Sequence, residues 1–68
     1  MMEAELVFNN GRTRVNGIIR NLSDSGAKIE VVGVSSIPAT FELRVAGHRP
    51  HSCRVVWRAL REIGVTFF

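Results

Sequence analysis

The sequence predicts an all-β domain, a small six-stranded antiparallel β-barrel with little or no helix. Three observations carry this. Apolar residues recur at every second position in five separate stretches, and these stretches are rich in β-branched and aromatic side chains. The stretches are separated by turn chemistry. No window of helical length shows a comparable 3.6-residue period.

Taken in order, the first strand spans 3–8, where Leu6 and Phe8 sit two apart and Glu5 and Val7 face the other way. Asn9-Asn10-Gly11 follows; Asn-Gly is a strong hairpin signal because a type I′ turn needs positive φ at both central residues. The second strand, 13–22, is irregular. Val15, Gly17 and Ile19 share a face with Asn21, and a bulge near Gly17 is expected to switch the faces so that Leu22 points inward. The third strand, 27–32, alternates Ala27, Ile29 and Val31 with Lys28 and Glu30. Gly33 to Pro38 reads as a longer loop, since proline cannot sit in a central strand. The fourth strand, 39–46, directs Phe41, Leu43 and Val45 inward and ends near a tight turn at Ala46-Gly47. The fifth, 49–58, directs Cys53, Val55 and Trp57 inward, and after a bridge at Ala59 to Glu62 the sixth, 62–68, directs Ile63, Val65 and Phe67 inward. Short connections make all neighbours antiparallel. Six strands with one apolar face each cover that face by curling into a barrel, which also removes exposed edges.

Size and composition narrow the classes. Sixty-eight residues make one domain, 1–68, with a thin core. A hydrophobic content of 46% with 22% charged residues suits a folded chain and not a disordered one. The single cysteine precludes an internal disulfide, and no apolar run reaches membrane-spanning length, so a cytoplasmic domain without membrane association is expected. Net charge is +3 and eight of nine basic residues are arginine, whose planar fork grips phosphate or a guanine edge. A phosphate-bearing partner fits that bias, as does a solvated charged face.

The segment Asn21-Leu22-Ser23-Asp24-Ser25-Gly26 is the candidate site. With Leu22 inward, Asn21 and Ser23 share the outer face. Gly26 is expected to supply a positive φ that closes the turn, and successive backbone amides with the serine hydroxyls make a concavity for an anion. Arg20, or Arg12 and Arg14 from the neighbouring hairpin, would supply countercharge. A plain hairpin loop has the same composition.

Asn21-x-Ser23-x-x-Gly26 after a strand resembles the (Asp or Asn)-x-Ser-x-x-Gly motif of the PilZ family. The run Cys53-Arg54-Val55-Val56-Trp57-Arg58, followed by Ile63-Gly64-Val65-Thr66-Phe67, is similar to that family's closing strands, so the resemblance spans about residues 4–67. It implies a bacterial cytoplasmic six-stranded barrel that binds cyclic di-GMP in signalling, with Asn21, Ser23 and Gly26 contacting the ligand. The family's second motif, Arg-x-x-x-Arg ahead of the first strand, has no counterpart here; Met1-Met2-Glu3-Ala4 stands in that place, and Arg54 and Arg58 have the spacing but lie in a late strand. Charge-assisted contacts contribute about 1.5–3 kcal/mol each, so cyclic di-GMP binding is expected to be weak or absent.

His48, His51 and Cys53 lack converging geometry for a metal, because alternation sets His48 opposite the other two; no metal and no cofactor are expected. No nucleophile stands with a base at catalytic spacing, so an enzyme is the poorest reading. A basic barrel binding single-stranded nucleic acid needs exposed aromatics, and Phe8, Phe41, Trp57 and Phe67 all fall on inward faces, which disfavours it. A protein-interaction module without nucleotide binding would use outward Val7, Val56 and Phe68 as its docking edge.

Overall fold

The computed structural model describes residues 2–68; Met1, where the expected domain begins, lies outside the described residues. Six strands follow in order: β1 (Met2–Phe8), β2 (Thr13–Leu22), β3 (Gly26–Glu30), β4 (Thr40–Arg44), β5 (His51–Arg58) and β6 (Glu62–Phe67), with one 3-10 turn at Val34–Ser36. All neighbours pair antiparallel in the order β1-β2-β3-β6-β5-β4, and β4 pairs back onto β1 to close the barrel. The six-stranded barrel expected from alternation is the observed fold.

Turn chemistry sets the strand ends. Asn10 and Gly11 both have positive φ (57° and 82°), and Arg12 N donates to Asn9 O across them at 3.1 Å, the type I′ arrangement. β4 stops at Arg44, short of the expected 46, because Val45 O already accepts from His48 N at 3.0 Å in the Ala46-Gly47 turn. β5 starts at His51, immediately after Pro50, which has no N–H to give a ladder. β3 ends at Glu30, short of the expected 32; Val31 N still donates to Arg61 O at 2.9 Å, one step further in the β3–β6 register, before the chain turns into the crossing.

β3 and β4 are not neighbours, so residues 31–39 cross one end of the barrel. Val31 and Ile37 from this crossing are buried and join a core built on Leu6, Ile19, Ile29, Leu43, Cys53 and Ile63. Arg58 Nη1 donates to Val34 O and ties the crossing down. The opposite end carries the 23–25 and 45–50 turns.

Two bulges correct the expected faces. Register shifts between Ile19 and Asn21, where Arg20 is the extra residue, and between Val55 and Trp57, where Val56 is. The expected bulge at Gly17 is absent: Gly17 pairs regularly with Ala4, and a Cβ there would lie 3.0 Å from side-chain atoms of Leu6, Ile29 and Val31. Glycine at 17 serves core packing. Leu22 pairs with Ala27 and takes the inner side, as expected, but it stands at the barrel mouth and is 50% exposed. Trp57, expected in the core, is turned outward by the Val56 bulge and is 44% exposed. Val7, expected on an exposed docking edge, is only 4% exposed. It lies in the ladder between Arg14 and Glu42.

Candidate functional site

The two bulges act on one stretch of outer surface. Asn21 pairs with Lys28, Lys28 with Gly64, and Gly64 with Trp57, so these four residues form a row across β2, β3, β6 and β5. Residues directly opposite in a ladder share a face, which makes the row a continuous strip. Without the shift at Arg20, Asn21 would point inward; without the shift at Val56, so would Trp57. A second row, one step toward the open mouth on the same face, holds Gly26, Thr66 and Arg54.

Gly64 explains where the indole sits. A Cβ at this position would fall 2.2 Å from Trp57 Nε1 and Cε2, so the ring lies directly against the bare backbone of β6. The 21–26 loop rises beside it, and together they bound a depression of about 510 Å³ lined by Asn21, Ser23, Ser25, Lys28, Trp57 and Thr66 among others. An aromatic ring, hydroxyls and one cation thus share the lining of the depression.

The loop is closed by its own hydrogen bonds. Ser23 N donates to Gly26 O at 2.9 Å, Ser25 N approaches Ser23 Oγ at 3.4 Å, and Ser23 Oγ donates to Gly26 O at 3.3 Å. Phe67 N and Thr66 Oγ1 both donate to Ser25 O, at 2.9 and 3.2 Å, fastening the loop to β6. Two of the amides expected to form an anion concavity are therefore engaged within the turn. What faces outward is the hydroxyl pair Ser23 and Ser25, 3.4 Å apart, and the Asn21 side chain. Gly26 does not have the positive φ expected of it. Its glycine is required by proximity: a Cβ would lie 2.1 Å from Val65 O.

The expected residues fall into two groups. Asn21, Ser23 and Gly26 are brought together at the depression. Arg20, on the β2 bulge next to Asn21, is ion-paired with Glu30. Arg12 and Arg14 are at the other end of β2, with Arg14 seven residues of strand from Asn21, roughly 20 Å at 3.3 Å per residue. Arg14 there pairs with Glu5 at 3.3 Å. The structure does not bring Arg12 or Arg14 to the depression. The nearer cations are Lys28, 4.0 Å from Glu62, and Arg54, which stacks over the Phe68 ring at 5.3 Å.

Sequence reasoning missed Lys28, Gly64 and Trp57 as lining residues. The readable signal was Gly64, a glycine inside an otherwise β-branched strand, which marks a close approach by another group. Exposure of Trp57 also removes the argument against nucleic-acid binding that rested on its burial.

The histidine and cysteine side chains have other engagements. His51 stacks on Phe67 with ring centroids 4.5 Å apart, and the Cys53 thiol donates to His51 O at 3.5 Å. Burial pushes the Cys53 thiol up to about 11, so it is neutral at physiological pH. Among the described residues no three His, Cys, Asp or Glu side chains converge as a metal site, and no helix is long and apolar enough to cross a membrane.

Comparison with curated proteins and with solved structures gave no match. Comparison with family models matched residues 2–68 to the PilZ domain.

Proposed function

The chain belongs to the PilZ domain family, and on that premise we propose that it is a cyclic di-GMP-binding signalling or adaptor module of the bacterial cytoplasm, working by binding and not by catalysis. The observation that carries the proposal is the row Asn21–Lys28–Gly64–Trp57 beside the Ser23–Ser25 hydroxyls. A cyclic dinucleotide offers purine faces and edges and two phosphates. Trp57 supplies a stacking surface, Asn21 and the serines supply neutral hydrogen-bonding groups, and Lys28 supplies charge. Stacking of a base on an aromatic side chain contributes about 1–3 kcal/mol.

Affinity is proposed to be weak. The cations beside the depression are already partnered: Arg20 with Glu30, Lys28 with Glu62, Arg54 with the Phe68 ring. A ligand phosphate must compete with those partners, which subtracts from each charge-assisted contact.

The test is a calorimetric titration with cyclic di-GMP, followed in parallel by Trp57 fluorescence; this is the chain's single tryptophan. Saturable binding with a change in indole emission, weakened about fivefold by Ser23→Ala, the equivalent of one neutral hydrogen bond, is the expected result. A folded protein that binds no cyclic di-GMP at millimolar concentration overturns it. One observation favours a second reading: the exposed indole beside Lys28 also suits single-stranded nucleic acid. An oligonucleotide titrated at two salt concentrations separates the two, because multiple phosphate contacts make that affinity fall steeply with salt. Loss of both ligands would favour a module working through protein contact, with Val56 and Phe68 as the exposed apolar residues of that edge.

A further inference from the structure

A second surface lies toward the end of the barrel crossed by residues 31–39. Glu3 pairs with Ile18, Ile18 with Glu30, and Glu30 with Glu62, giving another outer row across β1, β2, β3 and β6. Beside this row Val32 and Leu60 project from the two adjoining turns, 92% and 88% exposed. With Ile18 they line a groove of about 820 Å³, bounded by Glu3 on the β1 side and by Arg61 on the β5–β6 turn. Two large apolar side chains left this bare on so small a domain mark an interaction surface.

The charges around the groove say what fits it. Glu30 is held by Arg20, and Glu62 by Lys28. Glu3 and Arg61 have no ion partner among the described residues. The apolar strip therefore has one unmatched acid on one rim and one unmatched base on the other. A two-fold contact places each patch against itself, turned around, so that residue i meets residue j and j meets i. A patch with opposite charges on opposite rims is complementary to its own copy under that operation.

We propose that this face is a homodimer interface, in which Ile18, Val32 and Leu60 of two copies pack together and Glu3 of each copy pairs with Arg61 of the other. The contact involves a handful of residues, against roughly 20–30 a side in a standard interface, so the dimer is weak. Formation of the dimer does not depend on the nucleotide reading above.

The test is sedimentation velocity on the 68-residue chain without nucleotide, from about 10 µM to about 1 mM, the range over which a weak contact dissociates. Wild type is expected to pass from monomer to dimer across that range. Glu3→Arg makes both rims basic and Arg61→Glu makes both acidic; each is expected to weaken self-association by about tenfold or more through like-charge contact. An equimolar mixture of the two variants, and the chain carrying both substitutions, are expected to regain it. Leu60→Asp is expected to stay monomeric; its side chain is exposed, so circular dichroism should show an intact fold. A wild type that stays monomeric at the highest concentration overturns the proposal. So does self-association indifferent to either single reversal, or a mixture that fails to recover. Any of these results leaves cyclic di-GMP binding by the Trp57 face to be judged by its own titration.

Discussion

The outer surfaces of the two sides of this barrel follow different rules. On the β4–β1–β2 side the register is regular, and the face carries the ion pairs Arg14 with Glu5 and Arg44 with Glu42 and a buried Val7. On the β2–β3–β6–β5 side two bulges break the register, two glycines bare the backbone, and an indole is left half-exposed. Around Arg14, Glu5, Glu42 and Arg44 the first surface is made to meet water. The second has the features of a surface made to meet a ligand: a flat aromatic, a recess beneath it, and cations whose partners are replaceable. The difference arises from two extra residues, Arg20 and Val56, together with the glycines at 26 and 64.

The comparison breaks most visibly at Gly26. Its missing Cβ allows β3 to approach within contact of Val65 O, so Gly26→Ala must push the strands apart where no flexible side chain can yield. The expected cost is about 2–4 kcal/mol, which in a domain this small lowers the melting midpoint by roughly 10 °C or more. Thermal unfolding followed by circular dichroism measures it. A loss of less than a few degrees would show that β3 and β6 tolerate separation and that the bulged side is not held by the close approach.

Next in size is the aromatic wall. Trp57→Ala is expected to raise the cyclic di-GMP dissociation constant by between about fivefold and about 150-fold, the range of one stacked base, with a smaller effect on stability because the indole is already 44% exposed. Gly64→Ala should act on the same wall from beneath, lifting the indole off β6 and shifting its emission in the unliganded protein. If Gly64→Ala changed neither emission nor affinity, the recess would have no part in setting the ring.

The two sides of β5 give a third contrast, outward Trp57 against inward Cys53. The Cys53 thiol is raised from near 9 to about 11 by burial. The unfolded chain gives up this proton first, so the contribution to stability is complete below pH 9 and is lost as pH rises from 9 to 11. Cys53→Ala is expected to flatten that alkaline decline in the melting midpoint relative to wild type. Equal declines in the two proteins would mean the thiol is open to solvent.

How much of this was legible in the sequence follows from the same contrast. Period-two alternation and the Asn10-Gly11 turn give the strands, the first hairpin and most of the inward faces, because each depends on near neighbours. A bulge adds one residue with no composition of its own, so everything beyond it is read on the wrong face. Alternation alone places Trp57 in the core for that reason, and it points to a β2 bulge at Gly17 because glycine is a more visible cue than Arg20. Gly26 was recognised for the wrong property, a turn φ in place of a contact with a strand that lies 39 residues further on. Val7 follows the alternation and is nevertheless buried, and its ladder neighbours lie on β2 and β4, distant in sequence from one another. Asn21 and Ser23 were identifiable from a local motif. Lys28 and Trp57 were not, because their places beside those residues depend on the register of four strands together.

The smallest predicted effect separates the two surfaces most directly. Arg14 lies on the regular side in an exposed pair with Glu5, and such pairs contribute about 0–1 kcal/mol. Arg14→Ala is therefore expected to move the melting midpoint by only a few degrees and to leave cyclic di-GMP affinity within about twofold of wild type. Lys28→Ala removes a cation from the depression and should weaken binding by about tenfold, in keeping with a charge-assisted contact of about 1.5 kcal/mol. The comparison is informative because both substitutions delete one positive charge from a chain of net charge +3. A ligand held by the general field of the barrel would register the two losses alike, and more so at low salt. A ligand seated between Asn21 and Trp57 registers only the second. Equal losses from the two variants would place the nucleotide across the whole barrel, and the division into a solvent face and a ligand face would fail.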